Sequence, residues 1–106
     1  MKIWVDDIRP MPKGYDVHCK SVWETIGCIL EATARGEKIE LISLDHDAGY
    51  EYLYGGDYIQ VLLYLEWLDR EKGIEACTHF HIHTANPVGA ERMRSIILVC
   101  GWKEVK

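Results

Sequence analysis

Short apolar runs alternate along this chain with segments of helical periodicity, and that alternation restricts the fold more than any other feature. Lys2–Val5, Ile39–Leu44, Thr78–Thr84 and Trp102–Val105 read as strands, and Asp16–Lys20 as a shorter one. Pro10, Pro12 and Gly14 forbid a helix between the first two strands and leave a loop there. Ser21-Val22-Trp23-Glu24 has capping-box spacing. After it, Val22, Ile26, Ile29, Leu30 and Thr33 fall on one helical face, with Gly36 to close the helix. Asp57 is an N-cap candidate for a second helix to about Lys72, with Tyr58, Leu62, Leu65 and Leu68 inward and Gly73 as its stop. Asn86-Pro87 opens a third, whose apolar side is Ala90, Met93, Ile97 and Cys100 and whose end is Gly101. The order β-β-α-β-α-β-α-β predicts an α/β three-layer sandwich around a mostly parallel sheet, with right-handed crossovers.

A chain of 106 residues without repeat, low-complexity stretch or linker makes one domain, residues 1–106. Its longest apolar run, Val61 to Leu65, falls far short of the roughly 20 residues that span a bilayer, so a membrane partner is not expected. The opening Met-Lys-Ile-Trp-Val-Asp-Asp lacks the pattern of a signal peptide, and the expected location is cytoplasmic. With 12 basic against 17 acidic residues the chain carries a net charge of −5. That balance argues against long duplex DNA as a partner, because phosphate neutralisation drives such binding. A small phosphate ester or an RNA end needs few cationic groups and stays open. Cys19, Cys28, Cys77 and Cys100 have no zinc spacing; Cys28 and Cys100, set among apolar residues, are expected to be buried free thiols.

Chemically capable residues collect where the strands end. The first strand runs into Asp6-Asp7, the third into Asp45-His46-Asp47, and the fourth into His83-Thr84 with Asn86 close behind. In open parallel sheets ligands bind beyond the carboxyl ends of the strands, at the switch in strand order. Carboxylates crowded there repel, and a hard cation relieves the repulsion. Magnesium, or manganese in its place, takes a few carboxylate oxygens and substrate phosphate oxygens. The candidate ligands are Asp6, Asp7, Asp45 and Asp47.

His83 and His46 are candidates for proton transfer near neutral pH. His18, His79 and His81 are read as hydrogen-bonded structural histidines. Amides at the start of the Pro87 helix can receive an anion, and Gly89 in its first turn would let a ligand approach the backbone. Arg9, Arg92 and Lys20 are candidate phosphate clamps, the arginines by their bidentate fork. The loop from Tyr50 to Gly56, with three tyrosines and two glycines, can serve as a lid that stacks on a base.

Val5-Asp6-Asp7-Ile8-Arg9-Pro10, Ser43-Leu44-Asp45-His46-Asp47-Ala48-Gly49 and His83-Thr84-Ala85-Asn86-Pro87-Val88-Gly89-Ala90, with Met93, resemble the three motifs of the cyclic-phosphate-processing receiver-like family. The resemblance implies a receiver-like, flavodoxin-like sandwich with its first helix replaced by a loop. It also implies handling of cyclic phosphates, as on 2′,3′-cyclic nucleotide or RNA ends in RNA metabolism or repair. Carried over, it selects Asp6, Asp7, Asp45, His46, Asp47, His83, Thr84 and Asn86; Ala48 and Thr84 depart from the larger aliphatic residue and the Ser more usual there. Hydrolytic opening of the cyclic ester is the leading expectation, with His83 activating water, His46 protonating the leaving oxygen, and Arg9, Thr84, Asn86, Gly89 and Arg92 binding substrate. The alternatives are a non-catalytic cyclic-nucleotide binder and a phosphoacceptor receiver using Asp45. Against the last, a receiver's lysine ending the final strand has no well-placed counterpart, since Lys103 lies within that strand.

Overall fold

The computed structural model describes residues 1–48 and 56–106. Strands β1 (Lys2–Val5), β2 (Val17–Cys19), β3 (Leu41–Leu44), β4 (His79–Ile82) and β5 (Lys103–Glu104) form one sheet in the order β2-β1-β3-β4-β5. Every pairing is parallel. Helices α1 (Val22–Ala34), α2 (Ile59–Lys72) and α3 (Pro87–Val99) supply the crossovers. Residues 6–16 contain no helix, so a loop does replace the first receiver helix. The receiver-like α/β fold is therefore present.

The steps β2-α1-β3, β3-α2-β4 and β4-α3-β5 all run the same way across the sheet, so right-handed crossovers put all three helices on one face. They lie side by side there, α1 against α2 and α2 against α3. Ile3, Val5, Ile42, Leu44 and Phe80 point to them and form the core with Ile29, Leu62, Leu65 and Met93. The alternate positions, period two along each strand, bring Trp4, Ser43 and His81 into register on the opposite face. Among the described residues that outer layer holds the loop 6–16 in place of helices. Trp4 is buried yet lies outside the hydrophobic core; Tyr15 packs edge-on against it and its indole Nε1 donates to the Arg9 carbonyl.

Several local expectations hold, and three change. Ser21 caps α1 by accepting from Glu24 N at 3.0 Å, and Asn86 caps α3 by accepting from Gly89 N at 3.0 Å. Gly73 ends α2 in the left-handed conformation that costs glycine nothing. Asp57, however, does not cap α2: the cap position is Tyr58, and Asp57 Oδ1 instead accepts from Ala48 N at 3.1 Å, tying the segment after β3 to the start of α2. Leu30 is exposed, because the buried stripe of α1 is Val22, Thr25, Ile29 and Ala32, which leaves Leu30 about 120° off its axis. The fully buried thiols are Cys19 and Cys77, while Cys28 and Cys100 are half-buried. All four are free, and burial pushes Cys19 up to about 12 and Cys77 up to about 11, which makes them inert packing groups. No described helix is long and apolar enough to cross a membrane.

Candidate functional site

The order of the strands reverses between β1 and β3, so the connections after these two strands leave toward opposite faces and open a crevice at their carboxyl ends. Asp6-Asp7 and Asp45-His46-Asp47 leave the sheet at this crevice, and His83 follows on β4 next door. The structure sorts the candidate residues into two constellations.

The first is built on Asp6, which is fully buried. Its Oδ1 accepts from Ile8 N at 2.8 Å and Arg9 N at 2.9 Å, an Asx turn that starts the loop. Its Oδ2 stands 3.0 Å from His83 Nε2. The other ring nitrogen, His83 Nδ1, is 2.7 Å from Ser43 Oγ, and the same oxygen is 2.7 Å from His81 Nδ1. The His83 ring lies flat on Trp4, with centroids 3.7 Å apart and planes 7° from parallel. Arg9 Nη1 donates to the His83 carbonyl and sits 3.7 Å from Asp6 Oδ2. Both nitrogens of His83 and both oxygens of Asp6 are thus engaged within the protein. Burial holds His83 below its ordinary pKa, and the Asp6 carboxylate opposes that without overcoming it.

The second constellation surrounds His46, which is 8 % exposed. Its Nδ1 is 2.7 Å from Asp47 Oδ1, its amide donates to Asp45 Oδ1 at 2.8 Å, and its carbonyl accepts from Tyr58 N at 2.9 Å. Asn86 Nδ2 donates to the same Asp47 oxygen at 3.1 Å, which joins the end of β3 to the cap of α3. The imidazole and Asn86 together hold the Asp47 carboxyl below its usual range. Gly89 is where the ring meets the helix: a Cβ there would stand 2.4 Å from His46 Cγ. The close approach expected of a ligand at Gly89 is therefore made by His46. Of the first amides of α3, Pro87 has none and Gly89 N is spent on Asn86, so the anion-receiving capacity of that helix start is smaller than its sequence suggests.

Donor atoms of His46, Asp47 and Asp57 lie within 4.8 Å of one another, the group of three that closes among the described residues. Asp47 was expected in such a group and Asp57 was not. Asp6, Asp7 and Asp45 stand outside it: Asp7 Oδ1 accepts from Tyr58 Oη at 3.2 Å, and Asp45 is nearly buried against the His46 amide. The same Tyr58 hydroxyl donates to the Lys20 carbonyl at 3.0 Å; burial first, then the Asp7 charge, push this phenol far up. Thr84 Oγ1 accepts from Asn86 N at 3.2 Å, while Arg92 is exposed on α3, one turn beyond Gly89. Most of the proposed lid, Tyr50 to Gly55, lies outside the described residues.

Residues 1–98 match the family model described as the cyclic-phosphate processing receiver domain. The chain belongs to that family. The match spans both constellations and ends within α3, so the acids after β1 and β3 and the histidines after β3 and β4 all lie inside the family domain. The family's name ties this fold to the processing of cyclic phosphates. No curated protein and no solved structure matches the chain.

Sequence reasoning set aside His81 and did not single out Trp4 or Ser43. A signal existed for Ser43: it is the lone hydroxyl inside the apolar strand Leu41-Ile42-Ser43-Leu44, and a polar group there needs a partner. Lys103 pairs with His79, at the end of the sheet away from the acids, so β5 brings no lysine to the site.

Proposed function

We propose that this receiver-like domain opens a cyclic phosphate on a nucleotide or RNA end by metal-assisted hydrolysis, a reaction suited to RNA-end metabolism or repair. The observation that carries the reading is the family domain itself, with its conjunction of acids and imidazoles at the sheet's switch point. His46, Asp47 and Asp57 would hold the cation. Two carboxylates and an imidazole form a mixed oxygen–nitrogen donor set, which suits manganese at least as well as magnesium. Such a cation would neutralise charge on the phosphoryl oxygens.

The remaining roles belong to the chain's own groups. Asp6 fixes His83, which we assign to the imidazole machinery that prepares a base for the attacking water, and Trp4 holds its plane. Asp45 fixes the backbone of His46. Thr84, whose hydroxyl accepts from Asn86 N and so keeps its own proton to donate, and the half-exposed Arg9 are the groups we assign to the substrate's phosphate.

Phosphorus NMR of a 2′,3′-cyclic nucleotide with the protein, with Mn²⁺ or with EDTA, tests this reading. Conversion to a monoester with metal, its loss in EDTA, and a fall of about 100-fold or more in H83A are expected. Unaltered cyclic ester under every condition overturns hydrolysis. A shifted but unconverted signal would support the second reading, a non-catalytic cyclic-nucleotide binder, which the full engagement of His83 favours.

A further inference from the structure

Four side chains in series, Asp6, His83, Ser43 and His81, run from the crevice onto the helix-free face of the sheet. The protons along this series are fixed by counting donors. A carboxylate can only accept, so His83 Nε2 must carry a hydrogen toward Asp6. Neutral His83 then has a bare Nδ1, which must accept the hydroxyl proton of Ser43. Ser43 has no second proton, so its 2.7 Å contact with His81 exists only if His81 Nδ1 donates. His81 is thereby left with its hydrogen on Nδ1 and a lone pair on Nε2, and that nitrogen makes no hydrogen bond among the described residues.

From this geometry we infer that His81 Nε2 is the open basic nitrogen of the site, and that Ser43, His83 and Asp6 are positioning residues that set its tautomer. The inference rests on the ring-opening reading and changes which imidazole meets the substrate. In the reaction, a water O–H bond breaks as its oxygen bonds to phosphorus, and the proton goes to His81 Nε2. The imidazolium so formed keeps its Nδ1–H on Ser43. The ribose oxygen leaves with the electron pair of its bond to phosphorus and takes a proton from solvent, and the imidazolium returns its Nε2 proton to solvent, so that cyclic ester and water give the open monoester. No electron is gained or lost by the protein. Ser43 is fully buried in mid-strand, so it positions and does not itself attack. His83 is flanked by Asp6, Arg9 and Trp4 and bonded at both ring nitrogens, while His81, half-buried like it and paired in register with Ser43, is bonded at Nδ1 alone among the described residues.

Ring-nitrogen correlation spectra of the ¹⁵N-labelled full chain at about pH 8, where imidazoles are neutral, read the tautomers without any substrate. The expected result is His83 protonated on Nε2 and His81 on Nδ1. S43A should move His81 to the Nε2–H form, and S43T, which keeps the hydroxyl, should restore Nδ1–H. His81 found as Nε2–H in the unmodified protein overturns the inference, whether or not S43A folds. A kinetic arm uses H81N, whose side-chain amide can still donate to Ser43 but offers no base. With native backbone shifts it should open the 2′,3′-cyclic nucleotide about 100-fold more slowly; an unchanged rate overturns the role of His81. Because the spectra need no turnover, these tautomers found in a protein that leaves the cyclic ester intact would sink the reaction and leave the positioning standing.

Discussion

Gly89 and the His46 ring occupy adjoining space so closely that a Cβ on residue 89 would lie 2.4, 2.6 and 2.7 Å from three atoms of the imidazole. Backbone φ is not the reason for glycine here, since Gly89 sits in the first turn of α3 with ordinary helical geometry. The steric need is real: His46 is wedged between that turn and the Asp47 carboxylate.

G89A therefore sets two effects against each other. Alanine is intrinsically the better helix residue, by about 1 kcal/mol. Overpacking against His46 costs about 1–3 kcal/mol and should win. Urea denaturation is expected to show a net loss of stability together with a changed His46 ring environment; a more stable G89A would show that the ring moves aside freely.

Asp6 predicts a second loss. D6N keeps the oxygen that serves Ile8 N and Arg9 N but places an amide against His83 Nε2–H. One buried donor is then left without an acceptor unless His83 changes tautomer, a cost of about 1–3 kcal/mol. Denaturant titration measures the loss, which should be full where ring spectra keep the His83 hydrogen on Nε2 and largely absent where they show it moved to Nδ1.

Acid should weaken the fold in two stages, by the same sign. His83 is held below its ordinary value of 6.5, chiefly by burial. The unfolded chain therefore takes up that proton first, and the stability His83 contributes is present above pH 6.5 and lost as pH falls through its folded value. Asp47, held below its ordinary 3.8 by His46 and Asn86, adds stability that disappears only below that range. Thermal melts from about pH 8 down to about pH 2 should fall from about pH 6.5 and again below the ordinary carboxylate range, and H83Q should flatten the upper limb without altering the lower one.

Removal of metal ligands should separate the two constellations. D57N retains the carbonyl oxygen that accepts from Ala48 N, so the loop anchor survives while one anionic donor is lost. Calorimetric titration with Mn²⁺ is expected to weaken about tenfold or more in D57N and in D47N. D7N lies outside the donor group, and its affinity should match the unmodified protein. Equal weakening in all three would place the cation at the acid pair after β1.

Much of the fold was legible because its signals are local. Ser21 and Asn86 cap the helices their sequences announce, Gly73 stops α2, and Pro10 and Pro12 exclude a helix before β2. The misreadings arose where a local signal had a distant competitor. Asp57 is a good cap by type, yet its carboxylate is drawn to Ala48 N, nine residues back, and α2 starts without it. Cys28 has apolar neighbours in sequence, but its helix turns it toward the edge of the core, while Cys19 on β2 points into it.

By itself the sequence determined the α/β order, the parallel sheet and the gathering of Asp6, Asp45, His46 and His83 at one end of it, because strand and helix periods are short-range properties and parallel connections then place the strand ends together. Which atoms meet there was decided by the tertiary structure. Register sets Ser43 beside His81 and Trp4, 38 residues from one and 39 from the other, and a hydroxyl shared by two imidazoles exists only across strands. A hydrogen bond acts within about 3 Å, a scale on which neither spacing nor residue type can choose among five histidines.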